Sequence, residues 1–275
     1  MLKALTGLYP KASVLVMDDN SRDGTAEKVN ELADLGHDVK VVVRDPSDKG
    51  LTASIIDGIA LARTEYFVVM DCDFQHPPAS VADLMDSMIQ GSVLTIGVRE
   101  DKFELSSTRK FASWGANTMA SVYLRWKRRP TSEDTMSGFF AGRTDTFRSV
   151  IEDRQNKFER RGFKALFDLL KFLPRDSNIS EVEFRFDSRR SGESKLSSII
   201  ILSIMRQCGI WGRGLAVVTS FFLTNMVGRY LTSLILSLLF TFGILGLTDT
   251  ILTAEMSNAI LVALLIAIGY LVVAN

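Results

Sequence analysis

Four short apolar runs rich in β-branched residues, at positions 13–17, 39–43, 66–70 and 93–96, recur in the amino-terminal part of the chain with helix-type periodicity between them. Parallel strands need a long crossover to bring the chain back to the same end of a sheet, so short strands alternating with amphipathic helices read as βαβ units. This rhythm predicts an α/β domain. The helices between the runs carry their own end signals. Thr25 is placed to cap a helix over 26–35 that Gly36 ends, and Pro77-Pro78 precedes a helix over 79–90 that Gly91 ends.

The carboxyl-terminal part follows a different rule. Residues 230–247 and 257–273 are strongly apolar, and each run approaches the roughly 20 residues that cross a bilayer. They read as a transmembrane α-hairpin. The whole chain of 275 residues is 47% hydrophobic with a mean hydropathy of +0.15, too apolar for a purely soluble enzyme, and the excess lies after about Leu215. Arg206, Arg213 and Arg229 precede the first run, whereas the connecting loop has Asp249 and Glu255 but neither lysine nor arginine. The positive-inside rule then places the amino-terminal domain in the cytoplasm. Residues 196–229 mix apolar residues with Arg206, Trp211 and Arg213, a pattern of interfacial helices. The expected organisation is a catalytic domain over 1–195, juxtamembrane helices over 196–229 and the hairpin over 230–275. The expected location is the cell membrane, multi-pass, with the lipid bilayer as a partner.

Residues 1–11 lack the basic and then apolar order of a secretory leader, in keeping with a cytoplasmic first domain. Lysine plus arginine and aspartate plus glutamate balance at 32 each, so no global field marks a nucleic-acid partner. The two cysteines, Cys72 and Cys208, support neither a disulfide framework nor a zinc site.

Polar residues gather where the predicted strands stop: Asp18 and Asp19, Arg44 and Asp45, Asp71 and Asp73, then Arg99. Ligands of parallel α/β sheets bind at those ends. If the strand ending at Met70 continues its pleat, Asp71, Asp73 and Gln75 fall at alternate positions and present three oxygen donors, a set suited to Mg²⁺ or Mn²⁺. Such an ion bridges the phosphates of a nucleotide sugar and neutralises a departing diphosphate. The segment 18–25 leads from the first strand into a helix, a layout in which an acid reaches a ribose or base. Lys49-Gly50 opens the next helix, where the lysine and free amides are placed to hold phosphate. Residues 99–129 are basic and aromatic, and read equally as a segment near anionic lipid head groups or as a solvated helix face.

Six motifs then stand in order: D-D-N-S-x-D-G-T at 18–25, K-G-L at 49–51, M-D-x-D-x-Q-H-P-P at 70–78, S-G-F-F at 137–140, G-F-K at 162–164 and R-x-x-G-E-S-K-L at 189–196. The ordered set resembles glycosyltransferase family 2, in its dolichyl-phosphate mannose synthase and polyprenyl-phosphate glycosyltransferase branch, over about residues 14–198. The resemblance implies a GT-A-like (Rossmann-like), mostly parallel sheet domain. It implies metal ligation by Asp71, Asp73 and Gln75, with Cys72 between them in the donor-binding set, and nucleotide contact by Asp19 together with Lys49. Arg99, Lys164, Arg189 and Lys195 would bind donor or acceptor phosphates, Arg190 being able to substitute for Arg189. Asp134, just before S-G-F-F, would lie near the reacting sugar, and Asp73, Asp134, Arg99 and Arg189 make up the implied catalytic set.

The implied reaction is inverting transfer of a sugar, mannose from GDP-mannose or alternatively glucose from UDP-glucose, to dolichyl or polyprenyl phosphate. An acceptor phosphate with a second pKa near ~6 needs little general-base help. His76 reads either as a further ligand or as a structural residue of the turn before Pro77-Pro78, and the structural role is favoured. The family pattern also has an earlier strand and a Pro-Tyr-Asn-Glu-type nucleotide loop, neither of which residues 1–11 offer, so the first strand is expected to be missing. A rival reading is a non-catalytic membrane subunit with a degenerate transferase fold. Processive polysaccharide synthesis is disfavoured because Val122 stands where Q-x-x-R-W has glutamine, and nicotinamide binding because no G-x-G-x-x-G follows a strand.

Overall fold

The computed structural model describes residues 1–100, 107–160, 162, 164–185, 208, 214 and 217. The chain divides into two compact units, Met1–Cys208 and Gly209–Asn275. In the second unit the described residues are Gly214 and Val217, both helical and exposed. The expected hairpin, Arg189, Arg190 and Lys195 lie outside the described residues, among which no helix is long and apolar enough to cross a membrane.

The first unit begins with helix α1 (Leu2–Leu8). Strand β1 (Val14–Asp18), helix α2 (Thr25–Asp34), strand β2 (Val39–Val43), helix α3 (Leu51–Leu61) and strand β3 (Tyr66–Val69) follow. Then come helix α4 (Val81–Ile89), strand β4 (Leu94–Arg99), helix α5 (Ser107–Trp126), strand β5 (Phe140–Arg143), helices α6 (Thr144–Arg154) and α7 (Ala165–Phe172), and strand β6 (Ile179–Phe184). Gly36 and Gly91, at φ 86° and 101°, stop α2 and α4 in the left-handed region that side chains disfavour. Gly24 rather than Thr25 caps α2, while Asp23 accepts from the Thr25 amide at 3.1 Å.

β1 and β2 pair in parallel, from Val14 opposite Val39 to Asp18 opposite Val43. The remaining strands form a sheet ordered β3-β5-β4-β6. β4 and β6 are parallel, from Leu94 opposite Ile179 to Arg99 opposite Phe184. β5 runs antiparallel to both β3 and β4. Three of the four strands thus run one way and β5 alone runs the other, because the chain enters β5 at the end where β3 and β4 stop and must run back between them. Neither β5 nor β6 reads as an apolar run, although residues 181–184 of β6 alternate polar and apolar.

Period-two alternation buries both faces of this sheet. Phe140 packs with Leu94, Ile96, Phe67, Phe147, Leu166 and Leu170 on one side. Its neighbours Phe139 and Ala141 pack with Val81, Leu84, Met88 and Phe184 on the other. Leu5 and Tyr9 join that second cluster. The Tyr9 hydroxyl donates to the Pro78 and Ala79 carbonyls, each at 3.0 Å, and accepts from the Ala82 amide at 3.2 Å. The amino-terminal helix is thus fastened to the start of α4.

Candidate functional site

Two groups of polar residues form where strands end. The first joins β1, β2 and α3. Arg44, 6% exposed at the end of β2, donates from Nε to Asp57 at 3.0 Å and from its terminal nitrogens to Asp19, to Ser54 at 3.1 Å and to Asp48 at 3.0 Å. Asp19 also accepts from the Ser54 hydroxyl and the Gly50 amide, each at 3.0 Å. Arg160, contributed by the segment before α7, donates to Asp48 at 3.1 and 3.2 Å and to both oxygens of Asp57 at 2.9 and 3.0 Å. Two guanidiniums and three carboxylates thereby interlock.

Burial pushes the Asp19 carboxyl up, but hydrogen bonds from Arg44, Gly50 and Ser54 outweigh it and hold the group below the ordinary carboxylate range. The hydrogen bond to Asp48 is the main force raising the Arg160 guanidinium above its ordinary value. Asp18 is buried and accepts from the Ser21 amide at 3.1 Å, so it shapes the turn after β1.

Three amides at the amino end of α3 have acceptors within the protein. Gly50 N–H donates to Asp19, Thr52 N–H to the Gly162 carbonyl at 3.2 Å and Ala53 N–H to the Arg160 carbonyl at 3.0 Å. Lys49 itself is exposed beside them. The expectation of free amides next to Lys49 is corrected: two carbonyls from a distant segment occupy donors that a helix start otherwise offers.

The second group lies beyond β3 and β4. β3 ends at Val69, and the turn that follows holds Phe74 at φ 66°, a left-handed conformation rare for an aromatic residue. The Asp73 carboxylate accepts from the Gln75 amide at 3.1 Å, and the Asp71 amide donates to His76 Nδ1 at 3.0 Å. A turn rather than a continued pleat therefore sets the directions of Asp71, Asp73 and Gln75, which corrects the alternation argument. Cys72 is exposed on this turn. His76 is buried, stacks on Phe139 at 5.2 Å between ring centres and meets Phe184 edge-on. Desolvation lowers its pKa to about 4, against Asp73, which favours the charged form. It is thus a neutral imidazole near pH 7 whose Nδ1 lone pair is occupied by the Asp71 amide.

Asp134 and Gly138 lie near this turn, in the segment before β5. The Asp134 carboxylate accepts from the Met136 amide at 3.1 Å, and the Ser137 hydroxyl donates to the Gly97 carbonyl at 2.7 Å. Asn117 of α5 anchors the same segment, accepting from the Thr135 amide at 2.9 Å and donating to the Glu133 carbonyl at 2.6 Å. Lys164, at the start of α7, donates to the Met136 carbonyl at 3.0 Å. Desolvation lowers its pKa, and its charged neighbours are Asp134, Arg99 and Asp71. The fold thus gathers Asp71, Asp73, Arg99, Asp134 and Lys164 around His76. Asp19 and Lys49 belong to the first group.

The sequence shows Arg44 as a strand-end charge without a role and does not single out Asp48, Asp57, Arg160 or Asn117. Asp57 had a signal: it is the one charged residue in Leu51–Leu61.

A cation fits this second group. A Cβ at residue 138 would stand 3.3 Å from an Asp71 oxygen, so the glycine keeps that face of the carboxylate uncovered. The oxygen donors are hard, and an ion such as Mg²⁺ keeps several waters and substrate phosphates, so two carboxylates and an amide suffice. Among the described residues no three of His, Cys, Asp and Glu group to hold a metal by themselves.

The glycosyl transferase family 2 model matches residues 1–151. The dolichol-phosphate mannosyltransferase of Mycosarcoma maydis is 34% identical over 201 residues, which are 70% of this chain and 64% of that protein. The chain therefore spans just under two thirds of that relative's length. The dolichol-phosphate mannosyltransferase of Saccharomyces cerevisiae is 35% identical over 72% of this chain and 73% of its own. The undecaprenyl-phosphate mannosyltransferase of Micrococcus luteus is 30% identical over 77% and 86% respectively. With the family model spanning over half its length and relatives of this similarity, the chain belongs to glycosyl transferase family 2.

Proposed function

We propose that this chain transfers mannose from GDP-mannose to a dolichyl or polyprenyl phosphate, with inversion at the anomeric carbon. The observation that carries the reading is the convergence of Asp71, Asp73, Asp134, Arg99 and Lys164 around one turn, in a chain whose relatives are named as polyprenyl-phosphate mannosyltransferases. A phosphate oxygen of the lipid attacks the anomeric carbon as the bond to the nucleoside diphosphate breaks. The ionised acceptor makes a covalent sugar-enzyme intermediate unnecessary. Lys164 and Arg99 hold anionic phosphate groups, and Asp134 orients the sugar by accepting hydroxyl hydrogen bonds. Asp71, Asp73 and Gln75 would hold Mg²⁺ or Mn²⁺, which when bound neutralises charge developing on the leaving diphosphate.

The catalytic domain belongs on the cytoplasmic membrane face, anchored by the apolar runs 230–247 and 257–273. A reporter fused after Thr248 is expected outside the cytoplasm, and a cytoplasmic signal there would overturn this topology. Function is tested by incubating membranes containing the chain with polyprenyl phosphate and labelled GDP-mannose or UDP-glucose, with and without Mn²⁺. Metal-dependent label from GDP-mannose in the lipid phase supports the reading. Label from UDP-glucose alone replaces the donor, and no labelled lipid from either favours a non-catalytic subunit.

A further inference from the structure

Arg160 stands four residues before Lys164 yet makes none of its described bonds to the group around Lys164. Its guanidinium reaches instead across the chain to Asp48, in the turn Pro46–Asp48 after β2, and to Asp57 on α3. Its carbonyl and that of Gly162 accept from Ala53 and Thr52 at 3.0 and 3.2 Å. One short stretch is therefore fastened twice to the amino end of α3, once by a forked ion pair and once through the main chain. Arg44 bonds the same two carboxylates and also Asp19, at 3.0 Å to each of Asp48 and Asp57. From this clamp the chain passes directly to Lys164 at the start of α7. The ammonium there is held by the Met136 carbonyl among Asp134, Arg99 and Asp71.

We infer that Arg160 is a positioning residue: it locks itself and Gly162 to α3, so the β1–β2 end that carries Asp19 and the lysine of the second group are set as one piece. A planar guanidinium fork can grip two carboxylates with paired bonds in a fixed geometry, which the single ammonium of a lysine does not offer. The inference rests on the proposed reading that Lys164 serves sugar transfer.

The test uses the full-length chain in membranes and a double-mutant cycle of Arg160→Ala with Lys164→Ala, read as kcat/KM for polyprenyl phosphate. If Arg160 acts through Lys164, Arg160→Ala costs about tenfold, Lys164→Ala costs more, and the double variant is no worse than Lys164→Ala alone. Arg160→Lys, which keeps the charge, gives a smaller loss of the same kind and serves for both measurements should Arg160→Ala fail to fold. Amide exchange supplies a readout independent of activity. Thr52 and Ala53 are expected to exchange faster in either Arg160 variant while the rest of α3 keeps its protection.

Losses that multiply in the double variant, or unchanged exchange at Thr52 and Ala53, overturn the positioning role. An active chain with multiplying losses overturns that role alone. A chain that transfers no sugar overturns the functional reading and the positioning role with it.

Discussion

The two polar groups at the strand ends use their charges in opposite ways. Around Arg44, side chain meets side chain: two arginines and the carboxylates of Asp19, Asp48 and Asp57 satisfy one another. Around His76, three bonds join side chain to main chain: Lys164 to Met136, Asp73 to Gln75 and His76 to Asp71. The first group joins four segments of the chain, whereas the second points its charges at a shared turn. Both oxygens of Asp19 accept bonds from the protein, so Asp19 is part of this joint.

The sharpest way to break this contrast is Arg44→Met. The change strips Asp19 of its cation, while Asp48 and Asp57 keep Arg160, and losing the partner of partly buried charges costs about 1–3 kcal/mol, so the unfolding midpoint is expected to drop. Asp73→Ala is the complementary change. It is expected to lower transfer about 100-fold or more while shifting unfolding by less than about 1 kcal/mol, measured as the initial rate and the midpoint of the same preparation. If Asp73→Ala unfolds the chain as readily as Arg44→Met, the two groups do not differ in kind.

His76→Phe sharpens the boundary between them. The new ring keeps the stack on Phe139 but removes the acceptor of the Asp71 amide, and an orphaned buried donor costs about 1–3 kcal/mol. Denaturant unfolding of the variant checks this. A midpoint equal to that of the unaltered chain would mean that the imidazole does not hold the turn.

How far the sequence reveals these groups depends on the range of the contacts. Strands β1 to β4 and the helices between them are legible because their periodicity is local. Acids at strand ends are legible for the same reason, and so is the ordered set of motifs. The clamp is not, because Arg160 meets Asp48 and Asp57 across more than 100 residues, and nothing in its immediate surroundings distinguishes it from the other arginines nearby. β5 escaped notice because four residues, two of them Ala141 and Gly142, make no apolar run. The direction of Asp73 escaped too: a pleat was extended past Val69, where the left-handed Phe74 and the Asp73–Gln75 bond turn the chain.

The smallest effect expected is a pH dependence confined to the first group. Asp19 has its folded-state pKa depressed, chiefly by Arg44, Gly50 and Ser54 against the opposing push of burial. A depressed carboxyl contributes stability that is fully present above its unfolded value near ~4 and is lost as pH falls through the folded value. The difference in unfolding free energy between the unaltered chain and Asp19→Asn should therefore stay constant from about pH 7 to about pH 5 and shrink below about pH 4. With the Asp19 side chain a third exposed, solvent and salt screen the pair, so the gap should be modest and narrower at high ionic strength. A gap that already closes between about pH 7 and pH 5 would mean that a group titrating near neutrality, and not this carboxylate, governs the joint.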